Sequence, residues 1–354
     1  MLHKWWGIGL VVVLGLIWFA LGETGGMAAR PAAAVALRAQ QPPQSSAPAA
    51  AGAGRPELPV APSARQDPGA KTLAVGIGEN PLILQALQAR AVGDEAGATG
   101  LLRRAILEAT SIEQAARAGL FLAPAVTDLT ERRVYLASAL EAGVVRGAEY
   151  EQVGAQLREL NGDPSVSLHA LLELESYSVD SGDSLWKLCN RTFKDRFGVT
   201  PEVGLVRLVN GLTRDTLSVG QKLVVPRKPL TIVVDADEHG LVAWIGNVAI
   251  AAYRVGLGRD ERTPRRSFTV EVKQENPAWF YGGRTIPFGD PENILGSRWM
   301  GFDNQPEASG FGIHGTSLPE SIGRNESMGC VRMRNAEVEQ LFELVSRGTR
   351  VSIQ

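Results

Sequence analysis

The alternation of apolar and polar positions changes character several times along the chain. Residues 5–22 carry no charge, and Lys4 precedes them. As a helix those 18 residues would span roughly 27 Å, about one hydrocarbon core. This predicts a membrane-spanning signal anchor or a signal peptide over 1–22. Lys4 and the amino terminus favour the cytoplasmic side, which leaves the remainder outside. Ala20-Leu21-Gly22 fits a small-x-small cleavage site. The length of the run and its three tryptophans favour an uncleaved anchor.

Residues 23–79 are rich in Ala, Pro, Gln, Gly and Ser and show no period. Such a segment cannot bury enough apolar area to offset chain entropy, so it reads as a disordered tether. A flexible coil of that length spans roughly 40–45 Å.

Helical periodicity follows over 80–165. Asn80-Pro81 is a cap followed by proline at the first helical position. Leu84, Leu87 and Ala91 form a stripe, as do Leu102, Ile106 and Ala109. Ser111-x-x-Gln114 is a capping box. Leu129, Leu136 and Leu140, then Val153, Leu157 and Leu160, continue the pattern. These stripes predict a small all-α bundle or hairpin array, a fold class that suits a protein-interaction or spacer role.

Over 176–226 the pattern becomes strand, helix, helix, strand. Tyr177-Ser178-Val179 is extended, and Gly182-Asp183-Ser184 caps a helix bearing Leu185, Trp186, Leu188 and Cys189. A second helix over 203–209 ends at Asn210-Gly211, and Val219-Gly220 turns into a strand closing at Pro226. Cys189 faces the core of this unit and reads as structural.

From 230 onward the runs are β-type: 230–234, 241–245, 248–255 and 268–272. His239, in the turn Asp237-Glu238-His239-Gly240, reads as solvated. Asn335 is placed to cap a helix bearing Val338, Leu341 and Val345, which Gly348 ends. A last strand runs over 350–353. The fold class is therefore multidomain: an N-terminal transmembrane or signal helix, a small all-α region, an α+β module and a mostly-β C-terminal domain.

Composition removes several classes of function. The chain has 36 Lys and Arg against 38 Asp and Glu, a net charge of −2, so no basic surplus points to nucleic acid. Two cysteines exclude a disulfide framework. No cofactor motif is present. A structural zinc site needs about four Cys or His ligands, and the region of interest offers one of each.

That region is Ser327-Met328-Gly329-Cys330-Val331-Arg332-Met333, shortly after Gly312-Ile313-His314-Gly315-Thr316. A thiol becomes a strong nucleophile as a thiolate, and an imidazole can take its proton. A strongly activated Cys330 would alkylate far faster than Cys189. Gly329 lets the backbone bend and a substrate approach, with the Gly329 and Cys330 amides aimed at an oxyanion. In an extended 330–332 segment Cys330 and Arg332 share a face. The planar fork of Arg332 suits a carboxylate, and Ser327 can fix the loop. A buried structural cysteine beside a surface arginine is the plain alternative.

These residues closely resemble the L,D-transpeptidase (YkuD-type) catalytic domain of bacterial cell-wall enzymes. The resemblance covers 230–354 and includes Thr263-Pro264, Pro277-x-Trp279 and Asn293-Ile294-Leu295-Gly296. Arg266 replaces a glycine usual in the family, Ile294 stands where proline is frequent, and Met328 replaces a histidine that some members carry. The 176–226 module is similar to LysM, through Val-x-x-Gly-Asp-Ser-Leu-Trp and Val-Gly-Gln-Lys-Leu-Val-Val-Pro, with a longer insert near Lys194 to Pro201. The resemblance implies a cysteine acyl-enzyme on peptidoglycan tetrapeptide stems, release of D-alanine and 3→3 cross-links. It implies Cys330 as nucleophile, His314 as base, the Gly315 carbonyl as orienter of the imidazole, and Gly329 at the oxyanion. Arg332 and Ser327, with Trp279 and Tyr281, would bind substrate. The expected partners are peptidoglycan, with glycan at the LysM-like module, and the membrane, and the expected location is the cell envelope. Water or a protein lysine as acceptor would give a carboxypeptidase or a protein-attaching enzyme. A non-catalytic wall-binding scaffold is the reading from another class.

Overall fold

The computed structural model describes residues 80–354. The expected anchor or signal segment at 1–22 and the expected linker at 23–79 lie outside the described residues. Among the described residues no helix is long and apolar enough to cross a membrane.

Five helices come first: α1 Pro81–Ala91, α2 Glu95–Leu107, α3 Ile112–Leu122, α4 Leu129–Glu141 and α5 Glu149–Leu160. Short polar caps start four of them. Asn80, Asp94, Ser111 and Asp128 each accept a backbone N–H of the first turn. The capping box is modified, because Gln114 accepts from the Thr110 amide and hydroxyl instead of the Ser111 amide. The stripe on α1 is also corrected. Ile83 and Ala86 are buried, while Leu84 and Leu87 are only partly covered and Ala91 is exposed. Two apolar phases compete on this helix, and the one holding an alanine wins because it lets α1 lie close to Ala98, Leu102 and Ala105 of α2.

The helical region is not a detached spacer. Residues of α3, α4 and α5, including Leu136, Tyr150, Val153 and Leu157, share one core with Val242, Trp244, Ala249 and Ala252 of the C-terminal sheet. A Cβ on Gly154 of α5 would fall 2.1 Å from the Ala252 carbonyl oxygen, so helix and strand meet backbone to backbone. Arg133, wholly buried, donates to the Ala249 carbonyl (2.8 Å), Asn161 Oδ1 (2.8 Å) and Ser167 Oγ (3.1 Å). Burial pushes its guanidinium down to about 10. A single turn, α6 (Pro164–Ser167), leads on.

The next module pairs β1 (Leu174–Ser178) with β2 (Lys222–Pro226), antiparallel, Leu174 opposite Pro226. The strand starts three residues before the Tyr177 that the sequence suggests. Between them lie α7 (Leu185–Lys187), a π-helical stretch (Leu188–Thr192), α8 (Phe193–Phe197) and α9 (Val203–Val209). Tyr177, Leu188, Cys189, Phe193, Val206 and Leu223 make its core. Burial pushes the Cys189 thiol up to about 12, as an inert core thiol requires. Asn210 accepts from the Val224 amide (2.7 Å) and donates to the Val206 and Val224 carbonyls (2.8 Å each), tying helix to strand.

The C-terminal domain is built on eight strands in the order β13-β11-β10-β7-β14-β3-β4-β5. These are β3 (Leu230–Asp235), β4 (Gly240–Ile245), β5 (Val248–Arg254), β7 (Ser267–Glu275), β10 (Arg298–Phe302), β11 (Gly312–His314), β13 (Val331–Arg332) and β14 (Arg350–Ile353). β6 (Leu257–Gly258) pairs with β12 (Asn325–Ser327), and β8 (Trp279–Tyr281) forms a hairpin with β9 (Arg284–Ile286). Helix α10 (Asn335–Leu344) packs Val338, Leu341 and Phe342 into the core of this domain. His239 is partly exposed in its turn: at φ 55° its Nε2 faces Asn325 Oδ1 at 2.9 Å.

Candidate active site

Strand pairing assembles the site. β10 and β11 run antiparallel with Trp299 opposite His314, and β11 and β13 run parallel with His314 opposite Arg332. Between β12 and β13 the chain turns at Gly329, whose φ is +133°. A Cβ there would fall 2.4 Å from the Phe311 ring and 2.9 Å from the Arg262 carbonyl oxygen, so only glycine fits. Ser327, buried, accepts from the Gly329 amide (2.9 Å) and donates to the Cys330 carbonyl (2.8 Å). Ser327 therefore locks the turn, as its residue type suggests. The Gly329 N–H expected at an oxyanion is already engaged with that hydroxyl.

Cys330, His314 and Arg332 line one cavity of about 430 Å³ with Trp279, Phe280 and Trp299. Cys330 is half-buried, and its thiol reaches the Gly310 carbonyl at 3.8 Å. His314 is 2% exposed and lies under Trp299, ring centroids 5.8 Å apart. Its Nδ1 is 2.5 Å from the Gly315 carbonyl oxygen, which sets that nitrogen as the protonated one and leaves Nε2 with the lone pair. Met328 is 42% exposed on the rim. Tyr281 does not line the cavity; it stacks one layer back on Trp279, 4.6 Å between centroids. Trp299 and Phe280 were not selected by sequence, since an aromatic beside a strand reads first as core.

Burial governs the electrostatics. It pushes the His314 imidazole down to about 4, against the Gly315 carbonyl, and pushes the Cys330 thiol up to about 11 against the Gly312 amide and the charge of Arg332. Both shifts favour a thiol beside a neutral imidazole over a standing ion pair. The imidazole is then ready as a base, and the thiolate forms as the proton moves. The alkylation rate of Cys330 is accordingly expected to climb about tenfold per pH unit from 7 to 10. Mass-spectrometric rate measurement with iodoacetamide checks this. A plateau below pH 8 would contradict it.

Arg332 is 8% exposed, and among the described residues its guanidinium makes no ion pair or side-chain hydrogen bond, with Nε unpartnered. Burial disfavours its charge and the charge of the Glu326 carboxylate favours it, while the guanidinium keeps donors free for a ligand anion. No group of three or more potential metal ligands occurs among the described residues.

Known proteins match part of the chain. YqjB of Bacillus subtilis is 41% identical over 124 residues, covering 34% of this chain and 69% of YqjB. YkuD of Bacillus licheniformis is 34% identical over 161 residues, covering 44% of this chain and 87% of YkuD. Both carry an L,D-transpeptidase name. A solved L,D-transpeptidase from Mycobacterium smegmatis matches at 22% identity and TM-score 0.30, over 39% of this chain and 64% of that one. The chain belongs to the L,D-transpeptidase family. Within that family it is a two-module member: the LysM domain model matches residues 177–226 and the YkuD-type L,D-transpeptidase catalytic domain model matches 229–353.

Proposed function

We propose that the protein is a peptidoglycan L,D-transpeptidase that forms 3→3 cross-links through a thioester on Cys330. The observation that carries this reading is the grouping of one half-buried thiol, one buried neutral imidazole and one unpaired guanidinium around a single cavity. His314 takes the thiol proton as sulfur bonds the carbonyl carbon of the third stem residue. The tetrahedral adduct then collapses, and its C–N bond breaks. The imidazolium returns that proton to the departing amine of D-alanine. An amine of a second stem next attacks the thioester, loses its proton to His314 and expels the sulfur, which regains it. Arg332 holds a stem carboxylate by charge-assisted hydrogen bonds.

The LysM domain supports a peptidoglycan partner by holding glycan near the cavity. The uncharged run 5–22 supports a cell-envelope location with membrane association.

The reading is tested by incubating the protein with defined tetrapeptide muropeptides. D-alanine release, 3→3 dimers and a thioester mass on the Cys330 peptide are expected. Product without a mass shift at Cys330 would sink the mechanism. In the same assay Arg332→Ala is expected to raise the donor KM by about 10- to 100-fold, one charged hydrogen-bonding contact, with kcat changed only a few-fold. An unchanged KM would remove Arg332 from donor binding.

A further inference from the structure

The sequence suggests Asn335 as a helix cap, and the structure assigns it a different place. The residue before α10 is Arg334, with extended φ/ψ (−62°, 145°) and no capping side-chain bond. Asn335 is the first residue of the helix, and its Oδ1 accepts from two backbone amides that lie elsewhere. One is Ser297 N at 3.2 Å, just before β10; the other is Thr316 N at 3.1 Å, just after β11. Both partners are N–H donors, so the atom between them must be the amide oxygen.

Those two loops hold His314. The carbonyl of Gly315 lies 2.5 Å from Nδ1, and the carbonyl of Leu295 also acts on the ring. Space around Asn335 Oδ1 is reserved on both sides. A Cβ on Gly315 would fall 2.1 Å from that oxygen, and one on Gly296 (φ +64°) would fall 2.2 Å from it. The Gly296 Cβ would also meet Thr316 N at 2.6 Å and the Gly315 carbonyl carbon at 2.7 Å, so the two loops touch backbone to backbone. Gly315 N donates to the Arg298 carbonyl at 3.1 Å, which closes the clasp. Two glycines thus leave room for one oxygen, and that oxygen holds the peptide of the Gly315 carbonyl directly and the loop of the Leu295 carbonyl one residue on.

We propose that Asn335 is a positioning residue: it clasps the 295–297 and 315–316 loops and so fixes the orientation and tautomer of His314. This rests on the role given above to His314 as the base for Cys330. Orientation errors of this kind are costly in rate even when the reacting groups are intact. Asn335 itself is exposed at the helix start and does not line the cavity, so it has no direct substrate contact to lose.

The test joins acylation kinetics to an NMR titration of the His314 ring in the full chain. In Asn335→Ala the acylation rate at saturating donor is expected to fall about 10- to 100-fold, with half-saturation changed less than about two-fold. The His314 titration should move up from about 4 toward the ordinary imidazole range as the ring gains water. Asn335→Asp keeps an acceptor for both amides and is expected to recover most of the rate. Should Asn335→Ala fold poorly, Asn335→Ser, too short to reach both amides, serves in its place. An unchanged His314 titration and rate in Asn335→Ala would overturn the assignment, as would an Asn335→Asp rate no better than that of Asn335→Ala. If the unaltered protein forms no thioester at all, the functional reading fails instead, and the titration still decides the clasp.

Discussion

Replacing Cys330 with alanine is expected to abolish thioester formation and D-alanine release, and replacing His314 with alanine to slow acylation by about 10²- to 10⁴-fold. The second figure follows from the state of the resting pair. Burial holds the thiol near 11 and the imidazole near 4, so little thiolate exists without a base to remove the proton during attack. Loss of His314 leaves bulk water or hydroxide as the only acceptor. The acid limb of the acylation rate is expected near pH 4 to 5, since the imidazole stays neutral above that range. Stability follows the same sign. Between the ordinary imidazole value of 6.5 and about 4 the unfolded chain binds a proton that the folded chain refuses, so this group's contribution is present above 6.5 and lost as pH falls. Single-turnover mass spectrometry across pH measures the rate. A His314→Ala protein acylated at the normal rate would refute the base assignment.

Gly154→Leu is expected to destabilise the described part of the protein by about 3 kcal/mol, from forced overpacking. Its Cβ would occupy the position 2.1 Å from the Ala252 carbonyl oxygen, and backbone cannot step aside as a side-chain tip can. Helix α5 would lift from β5, opening the shared core of Val153, Leu157, Val242 and Ala252. A fall in midpoint of about 5 °C follows for a protein of this size, read by thermal unfolding. The catalytic sheet should melt with the helices in a single step. An unchanged midpoint, or a sheet that survives after the helices melt, would show that the two are independent.

The difference between local and distant information explains what the sequence revealed. Ser111 acts through neighbours in the chain, and its helix forms as the pattern predicts. The grouping of Cys330 with His314 was legible because only two cysteines and four histidines exist. What escaped depends on partners far along the chain. Asn335 looks like a cap because its usual local use is capping, yet its partners are 38 and 19 residues away. Gly154 looks like a weak helix position until the Ala252 carbonyl occupies the space of its missing side chain. Arg133 looks like a surface cation on a polar helix, whereas it is wholly buried on Ala249. The upward push on the Cys330 thiol has the same origin, since burial is a property of the fold and not of a motif.

Strand β14 lies between β7 and β3, antiparallel to one and parallel to the other, and it is the last of the eight in chain order. Until it is synthesised, β3-β4-β5 and β7-β10-β11-β13 are two unjoined ribbons, each with an open inner edge. Their union must wait for a segment that follows every other strand in the chain, so the domain closes through contacts of long sequence separation, the slow kind. During that wait the two bare edges are its point of greatest exposure to mispairing, and a chaperone that shields unpaired strands would act there.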